Sequence, residues 1–261
     1  MTGRNSLPAT PDVTVSFVWA DSAAGRVLQA PALQRLAPHV FTTRDLTFRG
    51  DRRPDDVARL ARAMGTTPAG VITVRQVHGR VVLTVRPGDE VRDTADADAI
   101  VSTDPTRAVA VRVADCVPIL LANRDRRVVA AVHAGWRGTS VGVAQAAVEA
   151  IGALGVPAAS LTAAIGPSIG PCCYQVDARV RDAYRQDRGP AADGWFSPDG
   201  PDRWRLDLWR ANGDELVAAG VPAREIHVAR YCTADHAETC FSYRRDGDST
   251  GRMMAAIRLG G

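Results

Sequence analysis

The stretch AVRVADCVPILLANRDRRVVAAVHAGWRGT, residues 110 to 139, decides the fold. It holds two β-rich runs, Val109 to Val113 and Val128 to Val132, and β-branched residues of this kind suit a pleated, buried surface. Each run leads to a soft or borderline metal ligand, Cys116 after the first and His133 after the second. The second run then passes through Gly135, Arg137 and Gly138 into an apolar stripe at helical spacing: Val143, Ala144, Ala147, Val148, Ile151 and Leu154. Thr139 or Ser140 is expected to cap that helix, and Gly155 with Pro157 to end it. Chemistry is thus placed at strand ends.

Outward from this block, 261 residues with 46% in the apolar set can bury a large core. The reading is a loose tail over residues 1 to 11 and a single domain over 12 to 261. All 32 basic residues are arginine, the net charge is only +3, and acids are interleaved with the cations. Such a balance, without a basic run, argues against nucleic acid as a partner. No stretch approaches the roughly 20 apolar residues of a spanning helix, so no membrane partner and a cytoplasmic location are expected. Five cysteines, two of them adjacent at Cys172 and Cys173, suit a reduced compartment better than a disulfide framework.

Before the central block, a strand is expected near Val13 to Trp19, and FTTRD, residues 41 to 45, closes a short apolar run and presents Arg44. Val57, Leu60, Ala61 and Met64 predict a helix from Pro54 to Met64, stopped by Gly65. Val71 to Val77 and Val81 to Val85 read as a hairpin with RQVHG, residues 75 to 79, at its tip. The acidic run Asp93 to Asp98 lacks the glycine and closing glutamate of an EF-hand and reads as an ordinary charged segment.

After it, GWRGTS presents backbone amides and the Arg137 guanidinium at a helix start, which reads equally as an anion site or as a tight turn. Leu161 to Ile165 is a strand that runs into the glycine-rich loop GPSIGPCCYQV. Asp177 caps a helix through Tyr184, and residues 189 to 203 form a polar loop, either a flap or an insertion. Asp207 starts a helix with Leu208, Leu216 and Val217 inward. Strands follow at Glu225 to Arg230 and Met253 to Leu259. Helices and strands do not alternate strictly, so a mixed α+β arrangement is expected over a doubly wound parallel sheet.

His78, Cys116 and His133 lie 38 and 17 residues apart, too far for a local zinc knuckle with four closely paired ligands. Two imidazoles and one thiolate with a fourth position open is the donor pattern of a catalytic zinc. The spacing alone leaves this beside the alternative of three unrelated residues.

RQVHG (75–79), ADCVPILL (114–121), VHAGWRGT (132–139), AIGPSIGPCCYQV (164–176), CTADHAETCFSYRRDG (232–247) and TGRM (250–253) resemble the laccase-domain or multi-copper polyphenol oxidase family, the YfiH and YlmD group of purine nucleoside phosphorylases. The motifs occur in family order from about residue 40 to 259. The resemblance implies a four-layer α/β/β/α sandwich with mixed β-sheets and a zinc ion on His78, Cys116 and His133, with copper able to replace it in vitro. It implies phosphorolysis of adenosine, inosine and 5′-methylthioadenosine, together with adenosine deamination.

On that reading Asp115 protonates or hydrogen-bonds the purine, Arg137 and Arg44 clamp phosphate, and Arg244 with Arg245 anchors the last strand. The partners are purine nucleosides and phosphate, and a monomer or weak homodimer is expected. Three departures stand out: DLTFRGDRRPDD (45–56) replaces the usual loop, Gln175 replaces a glutamate, and Cys240 replaces a phenylalanine. The rival readings are a metal-independent hydrolase with Cys116 as nucleophile and His133 as base, a non-enzymatic nucleotide-binding module, and a true laccase. The last needs a histidine-rich copper cluster, for which five histidines are too few.

Overall fold

The computed structural model describes residues 17–50, 53–91 and 94–260. The expected tail, the first residues of the expected N-terminal strand, and Asp93 lie outside the described residues.

Two six-stranded mixed sheets form the centre. The first runs β1 (Val18–Ser22), β2 (Gly25–Gln29), β3 (His39–Thr42), β15 (Met253–Arg258), β7 (Ala108–Val113), β4 (Val71–Ile72). The second runs β14 (Ile226–Val228), β10 (Leu161–Ile165), β8 (Val117–Asn123), β9 (Val129–Ala134), β6 (Ala99–Ser102), β5 (Val82–Val85). Neighbours are antiparallel except at β4 with β7, β5 with β6 and β14 with β10.

Alternating side chains dictate the layering, because a strand sends successive residues to opposite faces. In β7 and β15, Val109, Val111, Ala255 and Ile257 face the second sheet and meet Leu120, Ala122, Val129 and Ala131. Their alternates Ala108, Ala110, Met254 and Ala256 meet Leu60 and Met64, from and just beyond helix α2 (Arg53–Ala63). From the second sheet, Val117, Ile119, Leu121, Ala130 and Val132 pack on α4 (Val143–Gly152), α5 (Ala178–Arg188) and α6 (Leu208–Ala218). The order is therefore helix, sheet, sheet, helix, as the resemblance implied. Strands covered on both faces read as continuous apolar runs rather than as alternation, and β8 is buried at every position.

Local signals explain several boundaries. Pro54 lies in the first turn of α2, and the Asp56 carboxylate accepts from Thr47 N and Phe48 N. Asp177 and Asp207 cap α5 and α6 by accepting from Val180 N and Arg210 N. A short helix α1 (Pro31–Gln34) precedes β3, and α7 (Tyr243–Asp246) precedes β15.

Other expectations need correction. The hairpin over 71 to 85 does not form: β4 pairs with β7 in one sheet and β5 with β6 in the other, so RQVHG crosses between sheets. Thr139 and Ser140 cap nothing. They lie inside a separate helix α3 (Trp136–Val141) that starts at Gly135 and breaks from α4 at Gly142, whose φ is +84°. Residues 189 to 203 are not a free loop, because β12 (Phe196–Pro198) pairs with β13 (Arg203–Leu206) and β13 with β11 (Gln175–Asp177). Tyr184 holds that small sheet edge-on through Trp195 and Phe196. Val217 is 46% exposed rather than inward, while Leu208 and Leu216 are buried. No helix among the described residues is long and apolar enough to cross a membrane.

Candidate metal centre and active-site cavity

Two chain segments cross from the first sheet to the second, and each carries one ligand. Residues 73–81 connect β4 to β5 and hold His78; residues 114–116 connect β7 to β8 and end in Cys116. His133 comes from β9, paired with Pro118 directly beside the start of β8. The ligand atoms of His78, Cys116 and His133 all lie within 4.8 Å of one another, and the two imidazoles meet edge-on with centroids 4.8 Å apart.

The local backbone is bent to reach this. His78 and Asp115 have φ of 61° and 87°, in the left-handed region that costs a non-glycine residue about 1–3 kcal/mol. Gly135 is required for a different reason: a Cβ there would stand 2.9 Å from Cys116 Sγ and 3.1 Å from His78 Cδ2.

Asp98, passed over in the sequence as part of a charged run, organises the centre. It is fully buried at the start of β6, and its Oδ1 lies 2.8 Å from His133 Nδ1 and accepts from His78 N at 2.9 Å. Its Oδ2 accepts from Gly79 N at 2.7 Å and Val77 N at 3.3 Å. One carboxylate thus fixes the His78 crossover and occupies His133 Nδ1, leaving Nε2 as the free ring donor. In metal sites a carboxylate so placed orients the histidine and raises its basicity. Burial would raise Asp98, but the His133 hydrogen bond and the backbone donors hold it below the usual carboxylate range.

Burial by itself pushes the Cys116 thiol up, yet the His133 charge and hydrogen bonds from both imidazoles outweigh it and bring the group down to about 6. Burial pushes His133 down, and the Cys116 thiolate with Asp98 raises it to about 9. The donor set is a thiolate between two imidazoles, one of them hydrogen-bonded to the Asp98 carboxylate. Those residues fit a zinc ion held by three protein ligands with one position open, and also fit copper, since both accept imidazole and thiolate donors.

The three ligands line a cavity of about 810 Å³, inside the roughly 300–1,000 Å³ range of small-molecule sites. Its wall is rich in arginine, including Arg49, Arg112, Arg137, Arg244 and Arg252, against the acids Asp115 and Asp248. Arg137 lies over the Trp136 ring at 4.6 Å and Arg244 over Tyr174 at 5.0 Å, which holds each guanidinium plane at the wall. Asp115 also lines the cavity, and its carboxylate accepts from Thr233 Oγ1 at 2.6 Å, Ser242 Oγ at 3.0 Å and Arg244 N at 2.6 Å.

Arg44 is placed elsewhere. It is outside the cavity wall, over the Phe241 ring at 5.0 Å with its guanidinium on Ala237 O. Arg245 anchors the C-terminal segment through Thr233 O, Ala234 O and Cys240 O, while Arg244 divides its contacts between Gln175 O and the cavity.

The molecule is thus a mixed four-layer sandwich in which a His, Cys, His group able to hold a metal lines an arginine-rich cavity. The chain belongs to the family described as multi-copper polyphenol oxidoreductase laccase, whose profile matches residues 48–260. It is 36% identical over 219 residues to the purine nucleoside phosphorylase YlmD of Geobacillus stearothermophilus, covering 80% of each chain. It is also 36% identical over 249 residues to a purine nucleoside phosphorylase of Deinococcus radiodurans, covering 89% of this chain and 92% of that one. Among solved structures, the Bacillus licheniformis hypothetical protein YfiH superposes with a TM-score of 0.84 at 30% identity, covering 92% and 97%.

Proposed function

We propose that the chain is a zinc-dependent purine nucleoside phosphorylase acting in the cytoplasm on adenosine, inosine and 5′-methylthioadenosine, with adenosine deamination as a second activity, as a monomer or weak homodimer. The observation that carries this is the opening of the His78, Cys116 and His133 donor set into an arginine-lined cavity. The names of its relatives supply the substrate class.

Phosphorolysis forms a bond from a phosphate oxygen to C1′ of the nucleoside and breaks the C1′–N9 bond; that electron pair leaves with the purine, which takes up on a ring nitrogen the proton that hydrogen phosphate gives up. The chain must hold phosphate on one face of the sugar, receive the purine on the other, and exclude water. When bound, zinc supplies Lewis acidity at the open fourth position. Arg137 and Arg244 bind phosphate, since planar forks of donors match its oxygens; Arg44, docked on the 237–241 loop, supports that wall from outside. Asp115 orients the purine: three donors occupy its carboxylate, and the remaining lone-pair direction of the roughly four available can accept a purine N–H. Asp98 keeps His133 in the metal-facing tautomer.

A second reading is favoured by one observation, the Cys116 sulfur and the His133 ring nitrogen within 4.8 Å of each other, the side-chain pair of a Cys/His nucleophile and base. The two readings separate in one experiment: metal content, and products from adenosine with and without phosphate, for the parent and His78→Ala. Loss of about one zinc per chain in His78→Ala, with adenine and ribose 1-phosphate formed only by the parent and only with phosphate, is expected. Phosphate-independent turnover of an acyl or amide substrate that survives chelation and His78→Ala would replace it with the hydrolase.

A further inference from the structure

A second group of metal-ligating atoms lies outside the cavity. The Sγ atoms of Cys172, Cys173 and Cys232 and a carboxylate oxygen of Asp235 are all within 4.8 Å of one another. None of the four residues lines the cavity that holds His78 and Cys116. We propose that these four residues form a separate, closed site for a thiophilic d10 ion, Zn2+ or Cu+, which clamps two loops behind the active site.

The donor set points there on chemistry. Three thiolates and one carboxylate make four protein ligands, the number that closes a structural zinc site, and soft sulfur selects zinc or copper(I) over magnesium or calcium. Unlike the first centre, the ligands come as two close pairs, Cys172 with Cys173 and Cys232 with Asp235. Tetrahedral zinc with bonds of about 2.3 Å places its sulfurs roughly 3.8 Å apart, so small side-chain rotations complete the geometry.

Hydrogen bonds already draw the four side chains together. Gly170 N donates to Cys232 Sγ at 3.3 Å, a backbone N–H on a buried sulfur of the kind that tunes metal thiolates. Asp235 receives both Cys172 Sγ at 3.3 Å and Cys173 Sγ at 3.2 Å, so its carboxylate already points into the sulfur cluster. The two backbones are locked together next to the cluster by the Ser168–Cys232 bridge, Thr233 N on Ser168 O at 3.1 Å and Ser168 N on Tyr231 O at 3.2 Å.

Both loops also support Asp115. Ile169 N donates to Asp115 O at 2.9 Å, and Thr233 Oγ1 to its carboxylate. An ion on the four ligands therefore ties together the two segments that hold the cavity wall, without touching a reacting atom.

The test uses the full-length Cys116→Ser protein, reduced and stripped of metal, so that the first centre no longer contributes a thiolate. Titration with Co2+ is expected to reach about one ion per chain, with a near-ultraviolet thiolate-to-cobalt band of three-thiolate intensity that Zn2+ displaces. Cys173→Ser and Asp235→Asn in that background are expected to weaken binding at least tenfold, about 1.4 kcal/mol. Competition with a copper(I) chelator distinguishes Cu+ from Zn2+ as the preferred ion. If Cys116→Ser does not fold, total metal serves instead: about two ions per parent chain and one in Cys173→Ser. Absence of binding beyond the first centre, binding unchanged by both variants, or a disulfide from Cys232 to Cys172 or Cys173 in fresh protein without metal would each overturn the proposal.

Discussion

Replacing Asp98 by asparagine removes a charge and one acceptor from a fully buried position while preserving shape. The carboxylate takes four donors, His133 Nδ1 and His78 N on one oxygen, Gly79 N and Val77 N on the other. Asparagine offers one oxygen and one NH2, so whichever way it turns, one pair of donors faces another donor. Leaving buried donors without acceptors costs about 1–3 kcal/mol, and 2 kcal/mol corresponds to a Tm lower by roughly 4–8 °C for a chain of this size. The loss at the metal is separate. Removing a carboxylate that orients a metal-binding histidine typically weakens binding about 10–100-fold, or about 1.4–2.7 kcal/mol. Zinc competition against a chromophoric chelator measures the second quantity, and calorimetry of the metal-free protein measures the first. A variant with lowered Tm but parental zinc affinity would refute the orienting role, leaving Asp98 as a structural staple of the crossover.

His39 is buried and neutral, with Nε2 accepting from Ala30 N and Nδ1 on Ala37 O. Burial lowers it from 6.5 to about 4 despite the Ala37 bond. Between those values the unfolded chain binds the extra proton, so stability present above pH 6.5 is lost as pH falls towards 4, at up to about 1.4 kcal/mol per pH unit. Urea midpoints over that range are expected to fall less steeply in His39→Gln, and equal slopes would dismiss the effect. Arg137→Ala removes a charged donor worth about 1.5–3 kcal/mol, so the KM for phosphate should rise roughly 10–150-fold with zinc content unchanged; parallel loss of zinc would sink the assignment. Gly142→Ala forces a left-handed residue at about 1–2 kcal/mol and puts a Cβ 2.4 Å from Arg188. Its Tm should drop, and an unchanged Tm would mean that the α3–α4 joint relaxes freely.

That His78, Cys116 and His133 come together was legible because each ends or follows an apolar run of the sequence, and such residues keep their meaning whichever sheet they enter. Sheet membership was not legible. Val71–Ile72 and Val82–Val85 have the composition of hairpin partners, and only the docking of two sheets shows that they never pair. Strand β8 escaped for a related reason, since seven buried residues in succession carry no alternation and Pro118 suggests a break. Asp98 hid among Asp93 and Asp96, although it alone abuts the apolar run AIVS, a position where a carboxylate enters the core and must find donors. Arg44 and Arg137 look alike in sequence. Only the fold sends one to the cavity wall and the other to the loop at 237–241.

The two sheet-to-sheet crossovers have a kinetic corollary. His78 and Cys116 are 38 residues apart on connections whose flanking strands belong to different sheets, so neither hairpin formation nor helix growth can bring them together. Cys116 and His133 meet across the β8–β9 pair, and His78 is held by Asp98 at the start of β6, so their encounter awaits the pairing of β6, β9 and β8, whose contacts are non-local and therefore slow to form. A thiolate-to-cobalt absorption at Cys116, followed during refolding, would time the completion of the second sheet independently of helix content.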